Sequence, residues 1–134
     1  MIRAISAQLV ADHGLTINDY EALLHLARAD EGRMRRVDLA ERLILTASGV
    51  TRLLDGLEAA GWVERASCAS DRRVAYAVLT PAGRAKLHEA SQSHMADIRT
   101  YFESRFSRDE LEQLASLLGR LPGAAEAVGE DCSA

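Results

Sequence analysis

Cysteines and long apolar runs are scarce in this chain of 134 residues, and each scarcity argues against particular classes of protein. Cys68 and Cys132 lie far apart without metal-ligand spacing, which argues against a disulfide framework or a cysteine-rich zinc site and indicates a reducing, cytoplasmic setting. No apolar stretch approaches the roughly 18 residues of a membrane span. The first residues lack a long apolar region and a cleavage signal, so we expect no membrane partner and no secretory peptide.

Catalytic and metal-binding constellations are also missing. The sequence has no nucleophile, base and acid in a pattern typical of an enzyme, and no glycine-rich loop that would hold a phosphate. The histidines are His13, His25, His88 and His94. The last two are six residues apart, which is poor spacing for a shared ion, so a metal site is conceivable only across a dimer. We therefore predict no enzyme activity, no metal and no cofactor.

Positive charge is concentrated in the middle of the chain. The formal net charge is −4, yet residues 32–76 contain eight arginines and six acidic residues, a local balance of +2. An acidic body with a basic face is compatible with a nucleic-acid partner, although this balance is too small to identify one by itself.

Helix signals divide the chain into six helices. Apolar spacing predicts a short helix over residues 2–13, closed at Gly14, and Thr16 with Asp19 predicts the N-cap of a second helix that ends at residues 30–32. A third short helix is expected over residues 37–45. Thr46 is the expected N-cap of the fourth helix, which has a buried stripe of Val50, Leu53, Leu54 and Leu57 and ends at Gly61.

A β-hairpin is predicted directly after the fourth helix. Residues 62–65 and 73–79 are rich in β-branched and aromatic residues, and a polar tip separates them at residues 66–71. Thr80 and Pro81 then begin a long helix expected to reach about Phe106. A capping box at residues 107–110 opens a final helix with a leucine row, which Pro122 and Gly123 end, and we expect residues 123–134 to be frayed.

This order of elements predicts a mainly α fold with a small β-hairpin wing (α+β), in which a winged helix-turn-helix core is flanked by terminal helices. Such a helix fits the DNA major groove while the wing reaches the backbone or the minor groove. The leucine row of the final helix has little to cover it, which favours a homodimer. The alternative is packing of that row against the first helix of the same chain.

The fourth helix and the wing supply the predicted DNA contacts. Arg52 points away from the leucine stripe and is expected to contact a base or phosphate; the alternative is a salt bridge to Asp55. Ser48 and Thr51 are candidate donors on the same face. In the wing, one of Arg72 and Arg73 is expected to reach into the minor groove or along its phosphates; the alternative for both is a solvated tip. Asp71 is expected to brace the wing through an arginine pair or a turn-capping bond. Arg36, with Arg33 and Arg35, is predicted either to contact phosphate or to lie in a solvated loop.

These residues resemble the MarR family of winged helix-turn-helix regulators over roughly residues 16–120. The motifs that carry the resemblance are Thr16 with Tyr20, Leu-Ala-Glu-Arg-Leu at 39–43, Ser-Gly-Val-Thr-Arg-Leu-Leu at 48–54, Leu57-Glu58, Gly-Trp-Val-Glu-Arg at 61–65, Asp-Arg-Arg at 71–73 and Leu-Thr-Pro-Ala-Gly at 79–83. The resemblance implies one domain over residues 1–134, with a DNA-binding lobe at about 16–80 and dimerisation helices at about 1–15 and 81–122.

The resemblance also implies a function. We expect a homodimeric transcriptional repressor on pseudo-palindromic double-stranded DNA, released by a small aromatic or anionic effector. Plausible cleft residues for that effector are His13, Tyr20 and Arg84. The first helix is short for the family, which puts enclosure of the cleft in doubt. Two alternatives stay open: a protein-binding winged-helix adaptor without DNA binding, and a regulator that responds to oxidation of Cys68.

Overall fold

The computed structural model describes residues 1–122, so the expected frayed tail at 123–134 and Cys132 lie outside the described residues. The elements follow the predicted order, with one additional strand. They are α1 (Ile2–His13), α2 (Ile17–Arg28), a 3-10 turn (Asp30–Gly32), β1 (Arg33–Arg35), α3 (Arg36–Arg42), α4 (Ala47–Ala59), β2 (Val63–Ser67), β3 (Ala75–Leu79), α5 (Pro81–Glu103) and α6 (Arg108–Leu118).

The predicted helix ends are set by local chemistry. Gly14 terminates α1 in the left-handed conformation with φ 66°. Thr16 caps α2 in a reciprocal capping box, because its hydroxyl accepts from the Asp19 amide while the Asp19 carboxylate accepts from the Thr16 amide at 2.9 Å. Ser107 and Glu110 form the same motif at the start of α6. These predictions are confirmed.

Helix α3 and helix α4 form the helix-turn-helix, and α3 is shorter than predicted. It covers Arg36–Arg42 instead of residues 37–45, because the chain turns sharply at Ile44. Ile44 has φ 54° and its side chain is 92% exposed. A β-branched residue in the left-handed region is strained, and here no packing offsets that strain.

Replacing Ile44 with glycine is therefore expected to stabilise the fold. Glycine adopts a positive φ without a Cβ clash, and relief of the strain exceeds its entropic cost by about 1 kcal/mol. Urea unfolding of the Ile44→Gly variant measures the gain. Ile44→Ala is the matched control, since it removes the exposed apolar side chain but keeps a Cβ. Equal gains in the free energy of unfolding for both variants would show that the effect comes from removing exposed apolar surface and not from relief of backbone strain.

The sheet has three antiparallel strands, where the sequence predicted a two-stranded hairpin. The strand order is β1-β3-β2, and β1 pairs with β3 through Arg33↔Val78 and Arg35↔Tyr76. Of the two alternatives left open for Arg33 and Arg35, the loop is wrong, because both residues lie on this strand, where their side chains are exposed. Strand β1 consists of Arg-Met-Arg and carries no β-propensity signal, so its pairing comes from the tertiary structure.

The hairpin boundaries also differ from prediction. Strand β2 extends through Ser67, so the turn begins two residues later than the predicted polar tip. Strand β3 begins at Ala75, which leaves Arg72 and Arg73 in the turn and not on the returning strand. The connecting segment at residues 68–74 is closed by hydrogen bonds from the Cys68 amide to the Val74 carbonyl and from the Val74 amide to the Asp71 carbonyl. We call residues 68–74 the wing tip.

The described residues form two compact units, one over residues 1–90 and the other over residues 91–122. In the first unit, apolar side chains of α1 to α4, the sheet and the start of α5 make one core, with Leu23, Leu26, Leu39 and Ala77 fully buried. The predicted stripe of α4 faces this core, although Leu53 is only partly buried. The core gives α4 and the wing a rigid base.

The second unit contains the end of α5 and all of α6. Helix α5 ends at Glu103, three residues before the predicted end, because the backbone turns before the Ser107 cap of α6. Along α6 the leucine row is solvent-exposed: Leu114, Leu117 and Leu118 are 36%, 58% and 51% exposed, and Leu121 beyond the helix is 60% exposed. Within residues 1–122 no helix combines the length and apolarity needed to cross a membrane.

Candidate nucleic-acid interface

The exposed polar face of α4 begins at its N-cap. The Thr46 hydroxyl accepts from the Gly49 amide at 3.1 Å, as predicted for the cap, and lies 3.2 Å from the Ser48 hydroxyl. Ser48 and Arg52 are both exposed on the first turns of the helix. The start of α4 thus presents the positive end of a helix dipole, a hydroxyl and a guanidinium in one place, a combination that attracts phosphate.

Thr51 supports a neighbouring arginine. Its hydroxyl donates to the Ala47 carbonyl at 2.8 Å and accepts from Arg36 Nη1 at 3.4 Å. The hydroxyl hydrogen is therefore already used inside the helix, and the remaining interaction orients Arg36, the first residue of α3, across the face of α4. Thr51 therefore helps to position Arg36, in addition to lying on the outward side of α4.

Arg52 does not form the salt bridge to Asp55 that the sequence left open. Asp55 pairs with Arg65 of β2, and Arg65 Nε also lies 2.8 Å from a carboxylate oxygen of Glu58. Among the described residues, Arg52 has no ion-pair partner. Its guanidinium is therefore available for a ligand outside the chain.

Two open clefts flank the start of α4, and Ser48 and Arg52 line both of them. One cleft, of about 420 Å³, lies against the start of α2 at Thr16 and Asn18. The other, of about 430 Å³, lies against α3 at Arg36. Helix α4 thus stands out between two grooves, which is the shape required of a helix that enters a nucleic-acid groove.

The wing tip presents two exposed arginines, held by Asp71. The Asp71 carboxylate accepts from the Arg73 amide at 3.0 Å and lies 3.8 Å from Arg73 Nε. Both the turn-capping bond and the arginine pair considered for Asp71 are therefore present. The Arg73 side chain is 96% exposed and Arg72 is also exposed. An Asp-braced turn with two exposed cations has the charge and shape of a phosphate or minor-groove contact.

Cys68 also lies in the wing tip. Its sulfur is 3.1 Å from the Ser70 hydroxyl, and that hydrogen bond, together with the amides of Ser70 and Asp71, lowers the pKa of the thiol. No histidine or lysine flanks Cys68 in the sequence, and hydrogen bonds within a turn are not visible in residue types. The thiol is half-buried and is not in a disulfide.

The arginines of β1 are engaged on the surface of the sheet. Arg33 lies 5.0 Å from the centre of the Tyr76 ring and 3.1 Å from the carboxylate of Glu31. Arg35 donates two hydrogen bonds to Asp38, at 2.7 and 2.8 Å, which raise the pKa of its guanidinium. Both side chains therefore have partners within the chain, unlike Arg52.

The three residues suggested for an effector cleft are each packed against other parts of the first unit. Tyr20 is buried in the core, and the largely buried His13 side chain lies 3.9 Å from the Glu89 carboxylate. Arg84 packs against the turn at Gly32, with Nη2 3.5 Å from the position of an added Cβ. None of the three lines either cleft beside α4. Over residues 1–122 no cluster of three or more histidine, cysteine or acidic residues is arranged to hold a metal ion.

Arg65 is the residue beside α4 that the sequence analysis did not single out. It was assigned only to a strand, although its pairing with two acidic residues of α4 joins the wing to the helix. The available signal was its position two residues after the buried Val63, which places Arg65 on the same face of β2 as Val63. No local sequence pattern indicates which helix packs against that face.

Together, these elements define the chain as a winged helix-turn-helix protein. The MarR family model matches residues 13–74. The chain is 32% identical over 111 residues to the HTH-type transcriptional repressor YetL of Bacillus subtilis, covering 83% of this chain and 66% of YetL, just under two thirds of that relative.

Solved structures agree with this match. AbsC, a MarR family transcriptional regulator from Streptomyces coelicolor, is 32% identical with a TM-score of 0.74, covering 94% of this chain and 85% of AbsC. Sco3205, a MarR family regulator from the same organism solved in complex with DNA, is 27% identical with a TM-score of 0.78, covering 97% of this chain and 79% of Sco3205. The chain belongs to the MarR family of transcriptional regulators.

Proposed function

We propose that this chain is a sequence-specific DNA-binding regulator of transcription, with α4 in the major groove and the wing tip on the adjacent backbone or minor groove. The observation that carries the proposal is the free guanidinium of Arg52 on the exposed start of α4. Arg36, Ser48 and Thr51 lie on the same face, and Arg72 with Arg73 provides the second contact region. Sco3205, solved with DNA, supports this assignment by similarity.

The regulator acts as a homodimer in this proposal. The exposed leucines of α6 form an apolar surface of the kind that marks a partner site, and a two-fold dimer would place two α4 helices on two half-sites of a pseudo-palindrome. Repression is the proposed output, supported by the similarity to YetL, a transcriptional repressor. Release by a small aromatic or anionic effector is proposed from family resemblance, with His13, Tyr20 and Arg84 as the first residues to vary.

Loss of Arg52 is expected to weaken DNA binding strongly. Arg52→Ala should raise the dissociation constant by roughly 5- to 150-fold per half-site, the effect of losing one arginine contact to a base. Fluorescence anisotropy with duplexes selected from a random pool measures this constant at two salt concentrations.

Loss of Arg72 is expected to have a different effect. Arg72→Ala should weaken binding to all duplexes more uniformly, and it should reduce the slope of log K against log salt concentration by about 0.9 for each lost phosphate contact.

Arg108→Ala serves as the charge-matched control, since Arg108 is an exposed arginine paired with Glu112 on α6. It should bind DNA as the unaltered protein does. If the folded protein bound no duplex at low salt, or if Arg52→Ala bound as well as Arg108→Ala, the proposal would be wrong. A protein-binding adaptor would then be the better account of the same fold.

A further inference from the structure

One guanidinium, that of Arg65, holds both carboxylates on the exposed side of α4. Arg65 projects from β2 and pairs with Asp55 through one terminal nitrogen, while its Nε lies 2.8 Å from Glu58. The two carboxylates are three residues apart on one helix, so a single fork reaches both. All three side chains remain about half exposed. The network lies on the surface, next to the DNA-facing residues.

Helix geometry gives Asp55 a second potential partner, Arg52. Arg52 precedes it by three residues, a spacing at which opposite charges pair along a helix surface. Asp55 also lines the α3 side cleft together with Arg36 and Arg52. Without Arg65, the Asp55 carboxylate would attract Arg52 away from phosphate. Whenever Arg52 contacted phosphate instead, the negative charge of Asp55 would be left uncompensated beside it.

Stability does not explain this network. Exposed ion pairs contribute little to folding, because solvent screens them and the long side chains lose entropy. Val63 of β2 and Leu57 of α4 are buried in the same hydrophobic core, so packing holds these two elements without the ion pairs. An effect of Arg65 should therefore appear in binding more than in folding.

We propose that Arg65 is a positioning residue of the DNA-binding surface, which engages Asp55 and Glu58 so that Arg52 stays available to DNA. The inference rests on the proposed DNA-binding function. It assigns Arg65 no contact with DNA, and it explains how a recognition helix with two acidic residues presents a net attractive face to phosphate.

A double-mutant cycle tests the proposal. DNA affinity is measured for the unaltered protein, Arg65→Gln, Asp55→Asn and the double variant, which has the same net charge as the unaltered protein. Arg65→Gln should weaken binding roughly tenfold, because Arg52 is diverted from its contact. Asp55→Asn should restore most of that loss in the double variant and change affinity much less when introduced alone. Arg108→Gln controls for loss of one ion-paired arginine.

The arginine Nε–Hε signals in ¹⁵N NMR spectra give a second readout that needs no DNA. In the unaltered protein, the Arg52 signal should be nearly insensitive to Asp55→Asn. In the Arg65→Gln background, the same substitution should shift the Arg52 signal, because it removes the new Arg52–Asp55 pair. This readout separates failure of the inference from failure of the proposed function, since it reports the pairing even if no duplex binds.

Three results would overturn the proposal. Arg65→Gln could bind DNA like the unaltered protein. The two substitutions could instead act additively, with a salt slope reduced by about 0.9, which would make Arg65 a direct phosphate contact. Finally, the Arg52 signal could respond equally to Asp55→Asn in both backgrounds. Coupled affinities with a background-dependent Arg52 signal would support it.

Discussion

Replacing Gly83 with alanine is expected to destabilise the protein by about 3 kcal/mol, the upper range for inserting one methyl group into packed structure. A Cβ at Gly83 would lie 2.0 Å from the Trp62 carbonyl oxygen and 2.9 Å from Leu79 Cδ1. The obstacle is backbone and cannot rotate away. The same carbonyl accepts from the Thr80 amide at 3.1 Å, which holds it in place.

The conflict at Gly83 also involves the link between the wing and α5. The Thr80 hydroxyl donates to the Gly61 carbonyl at 2.7 Å and accepts from the Gly83 amide at 3.0 Å. Any shift that admits a Cβ disturbs this cap and the end of α4 together. The loss should therefore appear as a lower unfolding midpoint of the whole first unit.

Gly56→Ala is the matched control for Gly83→Ala. Gly56 also lies in a helix, but an added Cβ there meets nothing within 4 Å. Alanine should stabilise α4 at that position by about 0.5–1 kcal/mol through helix propensity. Urea denaturation followed by circular dichroism compares the two variants. Unfolding midpoints that move in the same direction would contradict the packing argument at Gly83.

Replacing Leu118 with lysine should dissociate the proposed homodimer. Leu118 is 51% exposed at the end of α6, within the leucine row. Burial of one leucine at an interface contributes about 1.5–3 kcal/mol, and a two-fold dimer contains each position twice. A lysine near a helix C-terminus is favourable for the helix itself, so folding of α6 should be preserved. Analytical ultracentrifugation should show a dissociation constant raised by about 100-fold or more.

Ser116→Lys adds the same charge on the opposite, polar side of α6, where Ser116 is exposed. This control should keep the assembly of the unaltered protein. A monomer with Leu118→Lys and a dimer with Ser116→Lys would support α6 as the self-association surface. If the unaltered protein sedimented as a monomer at micromolar concentration, the dimer proposal would be wrong.

The parts of the fold that the sequence predicted well depend on interactions between near neighbours. The caps at Thr16, Thr46 and Ser107 need only a side chain and an amide three residues later. The left-handed backbone at Gly14 and Gly61 similarly follows from the residue that occupies it. Such contacts exist for any tertiary arrangement, so the pattern of residue types was sufficient to locate them.

The errors fall where distant segments meet. Strand β1 has too little β propensity to predict, and it forms because β3 offers a free edge more than forty residues later in the chain. Ile44 occupies a conformation that its residue type disfavours, because the turn between α3 and α4 must bring their apolar faces together. In both places the packing of the core overrides the local preference.

For the candidate interface, the sequence by itself determined which residue types are present: Arg52, Ser48 and Thr51 on one helix face, and Arg72 with Arg73 in a polar turn. Only the tertiary structure decided which of these groups have partners. Thr51 uses its hydroxyl within the chain, and Asp55 pairs with Arg65 while Arg52 does not. The physical reason is range, since helical periodicity orients a side chain, whereas an ion pair depends on which other element packs beside it.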